Sequence, residues 1–127
     1  MADLAISVAL KRAYEPPVEA DGRRVLVDRL WPRGVAKNDA RLTLWLKEVA
    51  PSPELRRWFG HDPARWTEFV GRYRVELDRN PEPVERLRAL AAKGRVTLVY
   101  GARDPVHNHA AALRAYLVEG EPAFDGD

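Results

Sequence analysis

The chain has 127 residues, of which 46% are hydrophobic, and its formal net charge is +2 at pH 7. This length fits one domain with a hydrophobic core, predicted to span residues 1–127, and the small net charge excludes a polyelectrolyte. Cysteine is absent, which excludes disulfides, thiolate nucleophiles and cysteine zinc sites, and no apolar run is long enough to span a membrane. Because the first residues also lack a secretory signal pattern, we expect a cytoplasmic protein.

Two strands are predicted in the first part of the chain. Residues 5–10 alternate apolar with small or polar side chains, as a strand does. Residues 24–28 contain a Val-Leu-Val run, which fits a strand buried on both faces of a parallel sheet. Residues 35–50 are ambiguous, because their leucines fit both a strand and a helix, and Pro51 ends that segment in either case.

A capping side chain followed by proline marks the start of a helix. Ser52-Pro53 predicts a short helix that reaches about Phe59. Asp62-Pro63 predicts a longer helix, and its apolar stripe runs from Trp66 to Leu77.

A buried strand is predicted from Val96 to Tyr100, after a helix that Lys93-Gly94 closes. A right-handed crossover makes this strand parallel to strand 24–28. The predicted fold class is therefore α/β: a small, three-layer-like domain with a short, mainly parallel sheet flanked by helices.

The last helix is predicted to begin near Asp104-Pro105 and to end at Gly120. One side of it carries His109 with Ala112, Leu113, Tyr116 and Leu117. Residues 121–127 are expected to be a loose tail.

The carboxyl ends of the two parallel strands predict an anion site. They bring Asp28, Arg29 and Arg33 towards Arg103 and the start of the last helix, and arginines and helix amino ends both bind phosphate or carboxylate. The alternative is structural, because the same arginines can pair with Asp28 or Asp104 and tie loops together. The loop after the last strand lacks the glycine and lysine pattern of a nucleoside triphosphate site.

Asp28 and His109 are the candidates for acid–base catalysis. A carboxylate can orient an imidazole and stabilise its charged form, and the apolar stripe turns His109 towards the sheet. The alternative is a histidine that is only a core residue. No serine or threonine accompanies the pair in the sequence, so an acyl-transfer triad is not predicted.

Two further interpretations concern metal ions and nucleic acid. His61, His107 and His109 do not predict a metal site, because residues two apart on a helix point about 200° apart. The arginines of helices 54–59 and 64–79 alternate with glutamates and aspartates, which favours a solvated face with helical ion pairs over a nucleic-acid site.

Several segments together resemble the DUF488 family, in its YeaO-like branch. They are Val27-Asp28-Arg29-Leu30-Trp31-Pro32-Arg33-Gly34, Ala50-Pro51-Ser52 with Leu55-Arg56, Leu98 to Tyr100, and Asn108-His109-Ala110. The resemblance covers about residues 6–118 and implies an α/β domain of unknown function. It also implies signature positions at Asp28, Arg29, Pro32, Arg33, Asn108 and His109. It supplies no reaction and no cofactor.

The leading hypothesis is a small anionic or phosphorylated ligand at the strand ends. Arg29, Arg33 and Arg103 would hold the anion, Asn108 would add a hydrogen bond, and Asp28 with His109 would orient the ligand or move a proton. The alternative is a non-catalytic interaction module, for nucleic acid or protein, in which Asp28–arginine ion pairs and Trp31 make the signature block structural.

Overall fold

The computed structural model describes residues 7–119, in which four strands form one parallel sheet. The strands are β1 (Val8–Arg12), β2 (Arg23–Leu26), β3 (Leu44–Trp45) and β4 (Val96–Tyr100). Their order across the sheet is β1-β4-β2-β3, so β4 lies between β1 and β2 and pairs in parallel with both. The predicted tail at residues 121–127 lies outside the described residues.

Five helices accompany the sheet: α1 (Lys37–Ala40), α2 (Pro53–Phe59), α3 (Trp66–Asp78), α4 (Pro81–Lys93) and α5 (His109–Glu119). Single 3-10 turns lie at Glu19–Asp21, Lys47–Val49 and Pro63–Arg65. The predicted α/β class and parallel sheet are therefore confirmed. None of the helices between residues 7 and 119 has the length and apolar character needed to cross a bilayer.

The two faces of the sheet are covered differently. Val25 and Val27 belong to a large core with side chains of α2, α3, α4 and α5, whereas Leu26 packs on the other face with Trp31 and Trp45. All three β2-region side chains are at most 1% exposed, which confirms the strand buried on both faces. The second face is covered by loops and the four-residue α1 instead of long helices.

The predicted starts of the first two proline-marked helices are confirmed. The Ser52 hydroxyl accepts a hydrogen bond from the Leu55 amide at 3.1 Å, and α2 ends at Phe59. The Asp62 carboxylate accepts from the Ala64 amide at 3.0 Å, and a 3-10 turn then leads into α3. Capping is local chemistry, so these starts follow from neighbouring residues alone.

The predicted start of the last helix at Asp104-Pro105 is wrong. Asp104 accepts hydrogen bonds from the amides of Val106 and His107, which makes a turn and not a helix. Asn108 is the true cap, because its side-chain oxygen accepts from the Ala111 amide at 2.8 Å. The ambiguous residues 35–50 contain α1, β3 and a 3-10 turn, and α1 ends before the leucines on which both alternatives rested.

Candidate functional site

A cavity of about 250 Å³ opens at the carboxyl edge of the sheet. The end of β2, the loop after β4 and the start of α5 meet there, as the parallel topology predicts. The charged and aromatic side chains of its wall are Tyr14, Asp28, Arg29, Trp31, Arg33, Arg56, His61 and His109.

Asp28 connects the ends of β2 and β4 with the start of α5. One carboxylate oxygen, Oδ2, accepts a hydrogen bond from the Gly101 amide at 2.9 Å. The other oxygen, Oδ1, lies 3.0 Å from Nε2 of His109. That nitrogen also lies 3.1 Å from the Val27 carbonyl, and its hydrogen is aligned with the carbonyl. Oδ1 is therefore in charge contact with the ring but has no aligned hydrogen bond.

These contacts determine where a neutral His109 carries its hydrogen. The carbonyl of Val27 and the carboxylate of Asp28 are both acceptors, so Nε2 must be the donor. The other ring nitrogen, Nδ1, has no hydrogen-bond partner among residues 7–119. Because the His109 side chain is 14% exposed and lines the cavity, Nδ1 is the ring atom left for a ligand.

Tyr73 belongs to the buried core and packs against the imidazole. Its ring stands edge-on to His109, with centroids 6.5 Å apart, and its hydroxyl donates to the Val49 carbonyl at 2.6 Å. Burial raises the pKa of Tyr73 well above its ordinary value, and the nearby Glu76 and Asp28 carboxylates raise it further. Tyr73 is therefore neutral at neutral pH, and the Val49 carbonyl occupies its hydroxyl hydrogen.

Arg29 lies at the cavity but is largely engaged by the protein. Its Nη2 donates to the carbonyls of Ala50 and Pro51, each at 3.3 Å, and its Nε is buried without a partner in the described chain. This guanidinium ties the end of β2 to the segment before α2. Arg29 therefore contributes to the cavity mainly through its positive charge, because the protein already uses its Nη2 donor.

Arg33 and Arg56 are the available cations of the site. Both side chains are exposed and line the cavity, and no carboxylate within residues 7–119 forms an ion pair with either. Arg33 comes from the signature block and was predicted. Arg56, on α2, was assigned to the solvated arginine face, although it lies in one of the segments that resemble the family.

The other two predicted ligand residues do not line the cavity, although Asn108 lines a smaller recess beside it. Arg103 is exposed, and it is not part of the cavity wall. Asn108 is 2% exposed, and both polar atoms of its side chain are used, since Oδ1 caps α5 and Nδ2 donates to the Asp104 carbonyl at 2.8 Å. Asn108 therefore positions the start of α5, which carries His109.

A smaller recess of about 60 Å³ adjoins the cavity. Arg56, His61 and His109 line both spaces, while Phe59 and Phe69 add an apolar wall to the recess. His61 has a positive φ of 56°, which is uncommon for a residue with a side chain. His61 lies in the turn after α2, and no pattern in the sequence indicates this conformation.

The tryptophans of the signature region are structural. Trp45 donates from its indole nitrogen to the Asp28 carbonyl at 2.7 Å, and Trp31 donates to the Val35 carbonyl at 2.6 Å. The two rings pack edge to face, with centroids 5.4 Å apart. The Asp28–arginine ion pairs of the structural alternative do not form within residues 7–119, where Asp28 contacts His109 instead.

The metal and nucleic-acid interpretations concern the histidines and the arginines of α2 and α3. No cluster of three or more histidine, aspartate or glutamate side chains suited to a metal ion occurs between residues 7 and 119. On α3, Arg72 pairs with Glu68 one turn away, and Arg74 pairs with Glu119 of α5. These pairs agree with the predicted solvated face.

Comparison with known proteins identifies the family. A family model described as "Inactive DUF488-N3 subclade" matches residues 7–125. The chain belongs to this DUF488 subclade. The predicted resemblance to DUF488 is thereby confirmed.

The relatives are themselves without an assigned function. An uncharacterised protein of Mycobacterium tuberculosis is 46% identical over 113 residues, which span 89% of this chain and 94% of that protein. The uncharacterised protein YeaO of Escherichia coli is 40% identical over 112 residues, spanning 88% of this chain and 97% of YeaO. No solved structure gives a significant match.

Proposed function

We propose that this DUF488 protein binds a small phosphorylated ligand in the cavity at the carboxyl edge of its sheet. The observation that carries the proposal is the pair Arg33 and Arg56, two cations without a carboxylate partner in residues 7–119, facing one cavity. Arginine suits phosphate because its planar guanidinium donates two parallel hydrogen bonds.

The size and rim of the cavity support a small organic phosphate. Its volume of about 250 Å³ is slightly below the range of about 300–1,000 Å³ typical of drug-sized ligands. Leu30 is 65% exposed and Tyr14 is 48% exposed, and both line the same space. These side chains offer apolar contact to the part of the ligand that carries the phosphate.

We propose that the protein binds this ligand without converting it chemically. The subclade to which the chain belongs is described as inactive. In the cavity, Asp28 and His109 supply a polarised imidazole, but residues 7–119 provide no serine, threonine or cysteine on the cavity wall as a nucleophile. Asp28 and His109 then orient the ligand.

The test is thermal unfolding with methyl phosphate, a minimal phosphate monoester. We expect the ligand to stabilise the wild type by about 1.4 kcal/mol at ten times Kd. We expect this stabilisation to be lost in Arg33→Ala and in Arg56→Ala. Methyl sulfate, which has a similar shape and one charge fewer, is expected to stabilise less.

The matched control is Arg57→Ala. Arg57 follows Arg56 on α2 and is exposed, but it does not line the cavity. The control should keep the full stabilisation. Equal loss in the Arg56 and Arg57 variants would indicate non-specific attraction of anions, and no stabilisation of the wild type would refute the proposed function.

A further inference from the structure

We propose that the cavity takes up one proton at Nδ1 of His109 when a phosphate monoester dianion binds. This inference rests on the proposed function and deepens it, because it assigns the charge state in which the site holds its ligand. His109 becomes an imidazolium, which lies between the phosphate and the Asp28 carboxylate.

The hydrogen-bond geometry at His109 requires the added proton. Nε2 already holds a hydrogen, since it faces the Val27 carbonyl at 3.1 Å and the Asp28 carboxylate at 3.0 Å. In the neutral ring, Nδ1 therefore presents a lone pair to the cavity. A phosphate oxygen also presents lone pairs, so the two groups repel until a proton from solvent converts Nδ1 into a donor.

The positive groups near His109 oppose its imidazolium form when the cavity holds no anion. Arg56 on α2 and His61 after it line both the cavity and the recess together with His109. Arg29 and Arg33 also line the cavity and add positive charge. His109 is also the first residue of α5, where the helix dipole is positive.

The remaining groups near His109 either stabilise the imidazolium form or are neutral. Asp28, at the end of β2, supplies a carboxylate 3.0 Å from Nε2. Tyr73 on α3 faces the ring but stays neutral, and Tyr14 lies on the outer wall. A bound dianion, like the Asp28 carboxylate, stabilises the imidazolium form of His109. Ligand binding and proton uptake therefore favour each other.

The first test reads the tautomer without a ligand. Nitrogen-15 NMR of the His109 ring should show a hydrogen on Nε2 and a lone pair on Nδ1 at pH 8. A hydrogen on Nδ1 would overturn the inference. This result does not depend on any ligand, so it separates the failure of this inference from the failure of the proposed function.

The second test counts protons during binding. Methyl phosphate is titrated calorimetrically at pH 8 in buffers with different ionisation enthalpies. At this pH the ligand is a dianion, because its second pKa is about 6. Net uptake that approaches one proton per ligand supports the inference, and binding without uptake overturns it.

Two variants assign the proton to a residue. His109→Gln should remove the uptake, whereas His61→Gln should keep it even if its affinity for methyl phosphate falls. Uptake that survives in the His109 variant and disappears in the His61 variant would overturn the assignment. If His109→Gln does not fold, the wild-type Nδ1 signal during titration decides, since it must shift from the lone-pair to the protonated range.

Discussion

Asp28 has two tasks at the residue scale, because each of its carboxylate oxygens faces a different part of the site. Oδ2 holds the amide of Gly101, the residue that follows β4, and Oδ1 faces the imidazole of His109. The Asp28 side chain therefore holds the Gly101 part of the cavity wall in place and puts a negative charge beside the His109 ring. A change at this position affects both stability and ligand binding.

Asp28→Asn should lower the stability of the protein. The amide oxygen can accept from Gly101, but the amide nitrogen then meets the Nε2 hydrogen of His109, which places donor against donor in a buried position. We expect a loss of about 1–3 kcal/mol in the free energy of unfolding, measured with urea. Asp39→Asn is the matched control, since the Asp39 side chain is exposed and has no hydrogen bond within residues 7–119. An equal effect in both variants would contradict this role of Asp28.

The sequence predicted the placement of some cavity residues better than that of others. Asp28 and Arg33 follow a recognisable buried strand, and His109 lies on an apolar helical stripe, so parallel topology alone brings them to one edge. Arg56 and His61 reach the cavity because α2 and its following turn pack over that edge. That packing depends on contacts between distant segments, which no local pattern in the sequence reveals.

At the scale of the elements, local chemistry determined which helix starts were predictable. Ser52 makes its capping bond three residues ahead, so neighbouring residues are enough to predict the start of α2. Asp104 is likewise an acceptor followed by proline, but its bonds from the Val106 and His107 amides close a turn. Asn108 caps α5 instead, because its side-chain oxygen accepts from the Ala111 amide.

Two glycines in different elements should respond oppositely to alanine. Gly71 lies within α3, and nothing approaches its added Cβ within 4 Å, so Gly71→Ala should stabilise by about 0.5–1 kcal/mol. Gly22 precedes β2 with φ of +65°, and an added Cβ would clash with the Arg95 carbonyl oxygen. Gly22→Ala should therefore destabilise by at least about 2 kcal/mol. Thermal unfolding measures both, and a neutral Gly22→Ala would show that the turn before β2 can rearrange.

At the scale of the whole molecule, the two faces of the sheet use different stabilising interactions. The face beneath α2 to α5 is an apolar core, whereas the other face holds a polar cluster of Lys11, Asp21, Arg24 and Thr97. Asp21 accepts from Lys11 at 3.1 Å and from Arg24 at 2.7 Å, and its backbone carbonyl accepts from Thr97 at 2.7 Å. This cluster joins β1, β2 and β4 on the side where no long helix covers them.

The protein should lose stability in acid because two carboxylates favour their charged form in the folded state. Burial raises the pKa of Asp21, but hydrogen bonds from Val18, Lys11 and Arg24 outweigh burial and lower it below its usual value. Hydrogen bonds from the amides of His107 and Val106 lower the pKa of Asp104 to about 2. A pKa lower in the folded than in the unfolded chain adds stability above the unfolded value and loses it as pH falls.

We therefore expect the folded protein to lose stability as the pH falls from the ordinary aspartate pKa, about 4, to about 2. Urea unfolding at pH 6, 4, 3 and 2.5 measures it as a falling midpoint below pH 4. Asp104→Asn should show a smaller fall than the wild type over the same range, because the amide keeps an acceptor for the turn and does not titrate. A wild-type midpoint that stays constant from pH 4 to pH 2.5, or an equal fall in the Asp104 variant, would show that these carboxylates do not determine acid stability.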